Sequence, residues 1–468
     1  MRLPLVKDVP IVSSFARNFK AVFKNKAQYE HFKDYLSGLI VLGNKSLTNI
    51  ARCTLACCDK SNLSRFFSSE SWSAVQLNQK RIKWALKKTK AQRKSAQESC
   101  LAIDDTLCGH VGSLFEYIDL HYDHAQKRYS RAHNPVTSHY ISGKVRFPVD
   151  FRLYRRYDEF TQWESYVKKY FPQIEIPKGS QKRNRLKRQL QEKLLEDAEF
   201  KERHEAFQSK IDLACQLIRS ALEQELPFKI VLFDGWYLCS QIVELLAEYE
   251  LNYISILRRR RKIETDSFRL YDEEGEAIVF KEKTVQIQEL VKRIPKRSFK
   301  EIKIEDKSYW CFSISVTLPS LGRVRVVVSY DNKELSGTYA LLVTNRLGWE
   351  SKKIISTYLE RWPIETFYRD GKYHLGFDKY QLMSMTSIEK HWICVFTAYT
   401  MLHLKMLGLS KVKESKRSLQ SIGDACRYQA EELIKALAYW VYRRIEKGLS
   451  IEEAFDILFA KQYKPCPP

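Results

Sequence analysis

A chain of 468 residues, 44% of them hydrophobic, is too long for one ordinary core and predicts two or three domains. Lys and Arg number 79 against 56 Asp and Glu; the formal charge of +23 points to a polyanionic partner, nucleic acid before a membrane surface. No apolar run is long enough to span a bilayer, and MRLPLVKDVPIVSSFARNF lacks the apolar stretch of a signal peptide; the 11 scattered cysteines, with no CxxC pair, argue for reduced thiols in a cytoplasmic protein rather than disulfides or a cysteine zinc site.

Residues 1–95 have helical patterning. YEHFKDYLSGLIVLG carries apolar residues at helical spacing, and SLTNIARCTLACC and DKSNLSRFFSSESW follow with Ser and Asp starts suited to capping. Two short helices around a turn suit helix-turn-helix DNA binding, and a plain helical bundle equally well. The basic run Arg81 to Lys94 would follow a phosphate backbone or form a solvated helix or linker.

At Ser99 the pattern changes. CLAIDDT is a short apolar run that ends in two acids, as a buried strand would be if it delivered a carboxylate at its tip. His110, His121, His124, His133 and His139 follow at irregular spacing, so surface or hydrogen-bonding roles are expected rather than zinc ligation. VTSHYISGKVRFPVDFRLYRRY predicts two strands joined at Ser142-Gly143. Residues 158–208 are strongly charged and predict an exposed helical insertion. Its basic half (Lys182, Arg183, Arg185, Lys187 and Arg188) would be either a solvated face or a DNA contact.

A helix, IDLACQLIRSALEQEL, precedes FKIVLFDGWY, a second buried-strand pattern with Asp234 at its carboxyl end. QIVELLAEYE and NYISILRRRRK complete a strand–helix–strand order and imply parallel pairing with a right-handed crossover. Functional groups in open α/β sheets gather outside the carboxyl ends of strands, where Asp234 would stand. Residues 263–345 then switch to β character, with the last strand returning to the main sheet. In SKKIISTYLERWPIETFYRDGKYHLG (351–376), Tyr358, Arg361, Glu365 and Lys372 recur at helical spacing, while Glu360 and Asp370 fall off that stripe and would be solvated. The remaining chain is helical.

Three carboxylates therefore stand at strategic points: Asp104 or Asp105, Asp234, and Glu365. Carboxylates from separate elements in a basic protein suit a two-metal phosphodiester site. AIDDT, VLFDG and YLERWPIETFYRDGK resemble the three acidic motifs of DDE transposases in the retroviral-integrase superfamily. The closest likeness is to insertion-sequence transposases with the Tyr-x2-Arg-x3-Glu-x6-Lys (YREK) signature. The resemblance runs from about Ser99 to Gly376 and implies an RNase H-like α/β fold, a mixed sheet flanked by helices, with a β-rich insertion and an N-terminal helical domain. It implies catalysis and metal binding by Asp104, Asp234 and Glu365, with two Mg²⁺ ions for which Mn²⁺ would substitute. Tyr358, Arg361 and Lys372 would hold phosphates at the DNA end. The motif Asp-x-Thr favours Asp104 over Asp105, and Trp349, Trp310 and Trp362 are candidates to stand beside a flipped base.

The division expected is 1–95, a DNA-binding helical domain; 96–262, the first part of the catalytic domain, with 158–208 inserted; 263–345, the β-rich insertion; 346–408, the last part of the catalytic domain; and 409–468, a helical tail. The implied function is a bacterial-type insertion-sequence transposase that binds terminal inverted repeats, cleaves DNA and joins 3′-OH ends to target DNA. By the same analogy it would act as a homodimer on double-stranded DNA, cytoplasmic and nucleoid-associated, without a membrane partner. The alternatives are an RNase H-like nuclease without strand transfer and a non-catalytic DNA-binding relative. Pro363, between Arg361 and Glu365, either kinks one helix or divides it in two; in the second case Glu365 falls in a first turn, where the helix end favours its charge.

Overall fold

A computed structural model describes residues 3–55, 59–124, 126–409 and 418–460; the paired cysteines Cys57 and Cys58 lie outside these. The chain opens with α1 (Pro10–Phe15), α2 (Lys26–Val41), α3 (Leu47–Cys53), α4 (Lys60–Ser68) and α5 (Ala74–Lys88). Asn25, Ser46, Asp59 and Ser73 cap the last four of these helices, each side chain accepting a first-turn N–H.

The strands β1 (Cys100–Asp105), β2 (Cys108–Gly109), β3 (Asp119–Asp123), β4 (Arg128–Ser142) and β5 (Val145–Tyr154) follow. The expected hairpin is present: Ser142 pairs with Val145 across Gly143-Lys144, and Gly143 takes a φ of +63°, which glycine adopts without strain. Next come α6 (Tyr157–Phe160), α7 (Trp163–Tyr170), α8 (Ser180–Leu194) and α9 (Ala198–Ala206), then α10 (Lys210–Glu223), β6 (Ile230–Phe233), α11 (Ser240–Glu248) and β7 (Asn252–Ile256). The β-rich segment contains β8 (Lys262–Glu264), β9 (Thr284–Gln286), α12 (Ile287–Val291), β10 (Lys300–Ile304), β11 (Lys307–Leu318), β12 (Gly322–Tyr330) and β13 (Tyr339–Thr344). The chain closes with α13 (Ser351–Leu359), α14 (Pro363–Leu375), α15 (Met385–Met406), α16 (Ile422–Ile445) and α17 (Ile451–Phe459).

In the main sheet, β5 and β1 flank β4 in antiparallel pairs, and β1, β6 and β7 run parallel. The order β5-β4-β1-β6-β7 is that of an RNase H-like fold. β13 pairs antiparallel with β7, so β10 to β13 extend the same sheet as a meander. β6 (IVLF) is buried throughout, as a central parallel strand covered on both faces must be.

α15 is buried on nearly every side and forms the centre of the helical layer. The N-terminal helices pack on it: Tyr35 Oη lies 2.7 Å from His391 Nδ1, and Lys390 Nζ donates to the Phe67 carbonyl at 3.1 Å. They share one continuous core with the sheet. Arg81, expected on a phosphate-following or solvated run, is fully buried instead, donating to the carbonyls of Pro148 (2.7 Å) and Val149 (2.8 Å) and to Thr400 Oγ1 (3.0 Å). Its place follows from phase, since Leu77, Ile82, Trp84 and Ala85 on the same helix are buried too. His121, His133 and His139, expected at the surface or hydrogen-bonded, are all buried. Burial lowers the pKa of each, which favours neutral rings. Among the described residues no helix is long and apolar enough to cross a membrane.

Candidate active site

β1 and β6 are adjacent and parallel, with Ala102 opposite Leu232, so their exits bring Asp104 and Asp234 to the same end of the sheet. Successive side chains on a strand point to opposite faces, and the two neighbouring aspartates diverge accordingly. Asp104 Oδ2 accepts from Arg361 Nη1 at 2.7 Å. Asp105 turns the other way, accepting from Lys210 Nζ at 2.7 Å and from Tyr237 Oη at 2.9 Å. With its amide oriented to suit both neighbours, Asn134 donates to Asp105 at 3.0 Å and accepts from Lys210 at 2.9 Å. Asp105 is thus held by a lysine, a phenol and an amide.

Asp234 follows β6 in a short turn. Its Oδ1 accepts the Trp236 N–H at 2.8 Å, and its carbonyl accepts from Ser255 Oγ at 3.1 Å and from the Tyr237 N–H at 3.2 Å. Gly235 is required by close approach: a Cβ there would lie 2.7 Å from the Ile256 carbonyl oxygen.

Pro363 divides the late stretch into two helices, α13 ending at Leu359 and α14 starting at the proline itself. Proline suits this first position because its missing N–H would have no helical partner there. Glu365 therefore lies in the first turn of α14, at the positive end of the helix. Arg361 occupies the joint between the helices, and its Nη2 donates to Glu365 Oε1, so one guanidinium bridges Glu365 and Asp104. Tyr358 lies one turn earlier, its ring centroid 5.8 Å from the Arg361 guanidinium carbon. Lys372 is placed differently, with Nζ donating to Thr106 Oγ1 and the Leu107 carbonyl, both at 2.7 Å, just beyond β1. Of the two acids expected to be solvated, Glu360 makes a long 3.6 Å pair with Lys94, whereas Asp370 is buried at 6% exposure.

Burial pushes the Asp104 carboxyl up to about 6; Arg361 draws it down, and the charges of Asp105 and Asp234 push it up again. Burial likewise pushes the Tyr358 phenol up to about 12, and Asp234 and Asp104 act in the same direction. Burial opposes charge on Arg361, but Tyr358, Asp104 and Glu365 outweigh it and raise its pKa. Asp104, Asp234 and Glu365 offer carboxylate oxygens, a donor type that suits a hard divalent cation such as Mg²⁺. Among the described residues no three acidic, His or Cys side chains form a ready metal cage. Arg361 supplies the positive charge between Asp104 and Glu365.

The three tryptophans suggested for a flipped base differ in setting. Trp362 is 62% exposed between α13 and α14. Trp349 is partly buried, with Arg346 and Lys353 at 5.7 and 5.9 Å from its ring, and Trp310 lies within β11. Trp236, which the sequence reading passed over, is exposed beside Asp234 with Lys210 at 5.8 Å from its ring. Tyr237 and Lys210 were also missed. Tyr237 stands only three residues after Asp234, but nothing in the start of α10 marks Lys210.

Two family models match the segments that carry these groups. One, described as DDE superfamily endonuclease, covers residues 18–272, more than half the chain, and includes Asp104 and Asp234. The other, described as transposase DDE domain, covers residues 202–401 and includes Asp234 and Glu365. The chain belongs to the DDE superfamily of endonucleases. Within that class it is a DDE transposase. No curated protein matches it.

Proposed function

We propose that this transposase acts for a bacterial-type insertion sequence, binding the element's terminal inverted repeats, cleaving there and joining the 3′-OH ends to target DNA. The observation that carries this reading is the contact of Asp104, at the end of β1, with Arg361 and through it Glu365, from the joint of α13 and α14, with the charge of Asp234, beyond β6, acting on Asp104. Asp104, Asp234 and Glu365 are the metal-holding and catalytic residues. Two Mg²⁺ ions, or Mn²⁺ in their place, would supply activation of water or a 3′-OH and stabilisation of the leaving oxygen.

The protein's own groups divide the remaining tasks. Arg361 binds the scissile strand bidentately when it leaves Asp104 and Glu365 for a phosphate, which frees both carboxylates as the DNA arrives. Lys372, anchored at the exit of β1, presents a point charge to the neighbouring phosphate. Tyr358 keeps its proton and donates to a phosphate oxygen. Asp105, paired with Lys210, holds the end of β1 in place. Processing two ends together calls for a homodimer on DNA, working at the nucleoid in the cytoplasm.

The test uses duplexes that carry the flanking inverted repeats, a target plasmid and Mg²⁺. Cleavage followed by joined products is expected, and Glu365→Gln should lower both by at least about a thousandfold while end binding is retained. Nicks without joined product would reduce the reading to a nuclease. Cleavage unchanged in Glu365→Gln would sink the site assignment.

A further inference from the structure

Residues 157–207 form a unit of their own. Trp163, Tyr166, Val167, Leu190, Leu194 and Phe200 make a small core separate from the one beneath the sheet. One face of α8 lies on that core. Leu190 and Leu194 are buried in it, and Arg183 and Lys187 both pair with Asp158, which is only 8% exposed. Arg183 Nε donates to Asp158 at 2.7 Å, and both cations lie over the Trp163 ring, at 5.2 and 5.5 Å. These two charges hold the unit together and are turned away from any partner.

The opposite face of α8 is different in kind. Gln181, Asn184, Arg185, Arg188 and Gln189 form one open surface, and all five are exposed. The first four recur at helical spacing, so they line one stripe. No acid occurs between Glu175 and Glu192, and among the described residues no carboxylate pairs with Lys182, Arg185 or Arg188. A stripe needed only for solubility has no reason to lack acids and to concentrate amides.

We infer that α8 is a sequence-reading helix, presenting this face to the major groove of double-stranded DNA. The side chains are those that read bases: Asn and Gln match adenine edges, and Arg matches guanine edges. An α-helix with its side chains is about as wide as the major groove, and seven residues rise about 10 Å, which spans about three base pairs. Lys178 and Lys182 flank the stripe where they would meet phosphates.

The unit is also rooted beside the active site. It leaves the body after Tyr154 of β5, which pairs with Asn134, and returns at Ser209, the residue before Lys210. Asn134 and Lys210 are the groups around Asp105. Both ends of the unit therefore join the body next to the end of β1, the strand that carries Asp104. The inference rests on the transposase reading above and adds to it the element that recognises the DNA sequence.

The experiment is selection of a random duplex library by the full-length protein in EDTA, followed by repeat selection with Asn184→Ala, Arg185→Ala and Arg188→Ala. All three substitutions are on the surface, and unchanged melting curves certify the fold. The expected result is a consensus in which each variant relaxes the preference at one or two positions within a block of about three base pairs. Affinity for the consensus should fall about 5- to 150-fold, with little change on unrelated duplex. A consensus that survives all three substitutions overturns the inference. So does a uniform loss on every duplex with a shallower salt dependence, which would mark phosphate contact alone. A wild-type protein that binds duplex without any consensus overturns it as well. In these cases cleavage abolished by Glu365→Gln still upholds the transposase reading, whereas absence of all duplex binding defeats both.

Discussion

Replacing Asp104 with asparagine should make the metal-free protein more stable while removing its cleavage activity. Asparagine keeps the shape of the side chain and an acceptor for Arg361, and it drops the charge. Burial, with Asp105 and Asp234 nearby, raises the Asp104 carboxyl from 3.8 to about 6 even though Arg361 opposes the shift. Each pKa unit corresponds to about 1.4 kcal/mol, so the ionised carboxylate costs the folded state up to about 3 kcal/mol. The sign follows from proton binding. The folded state holds this proton more tightly than the unfolded chain, so the contribution of this carboxyl to stability falls as pH rises from 3.8 to about 6, and no further above that. The asparagine variant suffers no such loss. Its advantage should be nearly absent at low pH, grow through that window and remain constant in alkaline buffer. Urea denaturation with EDTA at a series of pH values measures it directly, since the same energy would move the melting point of a chain this size by only about 3 °C. A variant less stable than wild type in alkaline buffer, or a difference that ignores pH, would refute the reasoning. Either result would mean that the bridge to Arg361 outweighs burial and repulsion.

Other substitutions test the framework around the site. Arg81→Met should destabilise the protein by about 3 kcal/mol or more, because the Pro148 carbonyl and the Asn78 and Thr400 side chains lose a donor in a dry interior, and the Val149 carbonyl keeps only that of Asn78; urea titration measures this. Gly235→Ala should lower the cleavage rate about a hundredfold with DNA affinity unchanged, since the new Cβ would press on the Ile256 carbonyl and displace Asp234; paired rate and gel-shift measurements separate the two effects. DNA affinity should also fall steeply with salt, with a log–log slope of about −5 or steeper if six or more phosphates are neutralised. A flat titration would mean that the charge of +23 has another purpose.

The parts of the fold fixed by local pattern were legible in the sequence. CLAIDD and IVLF are buried strands that end in or just before an aspartate, and the order of strands and helices around them led to the parallel core. Pro363 showed that Arg361 and Glu365 could not share one straight helix, and the two helices observed follow from its ring and missing N–H. What could not be read depended on partners distant in the chain. Arg361 meets Asp104 257 residues away, and Lys210 meets Asp105 across 105 residues, contacts that no spacing rule anticipates. Arg81 illustrates a different failure. Counted with its basic neighbours it belongs to a charged run, whereas its phase relative to Leu77 and Ala85 places it inside. The same applies to Arg183 and Lys187, which composition groups with Arg185 and Arg188 but the helix separates from them.

The small core beneath α8 bears on how such an enzyme can change its address. Residues 157–207 are folded around their own tryptophan and tethered to the body at two neighbouring points, the end of β5 and the start of α10. A segment built this way can be exchanged between relatives as a unit, or altered one exposed side chain at a time, with the carboxylates left where the sheet holds them. Target choice and bond breaking can then diverge at separate rates in one lineage. Grafting a foreign 157–207 segment between Arg156 and Gln208 would be the corresponding laboratory route to a retargeted enzyme.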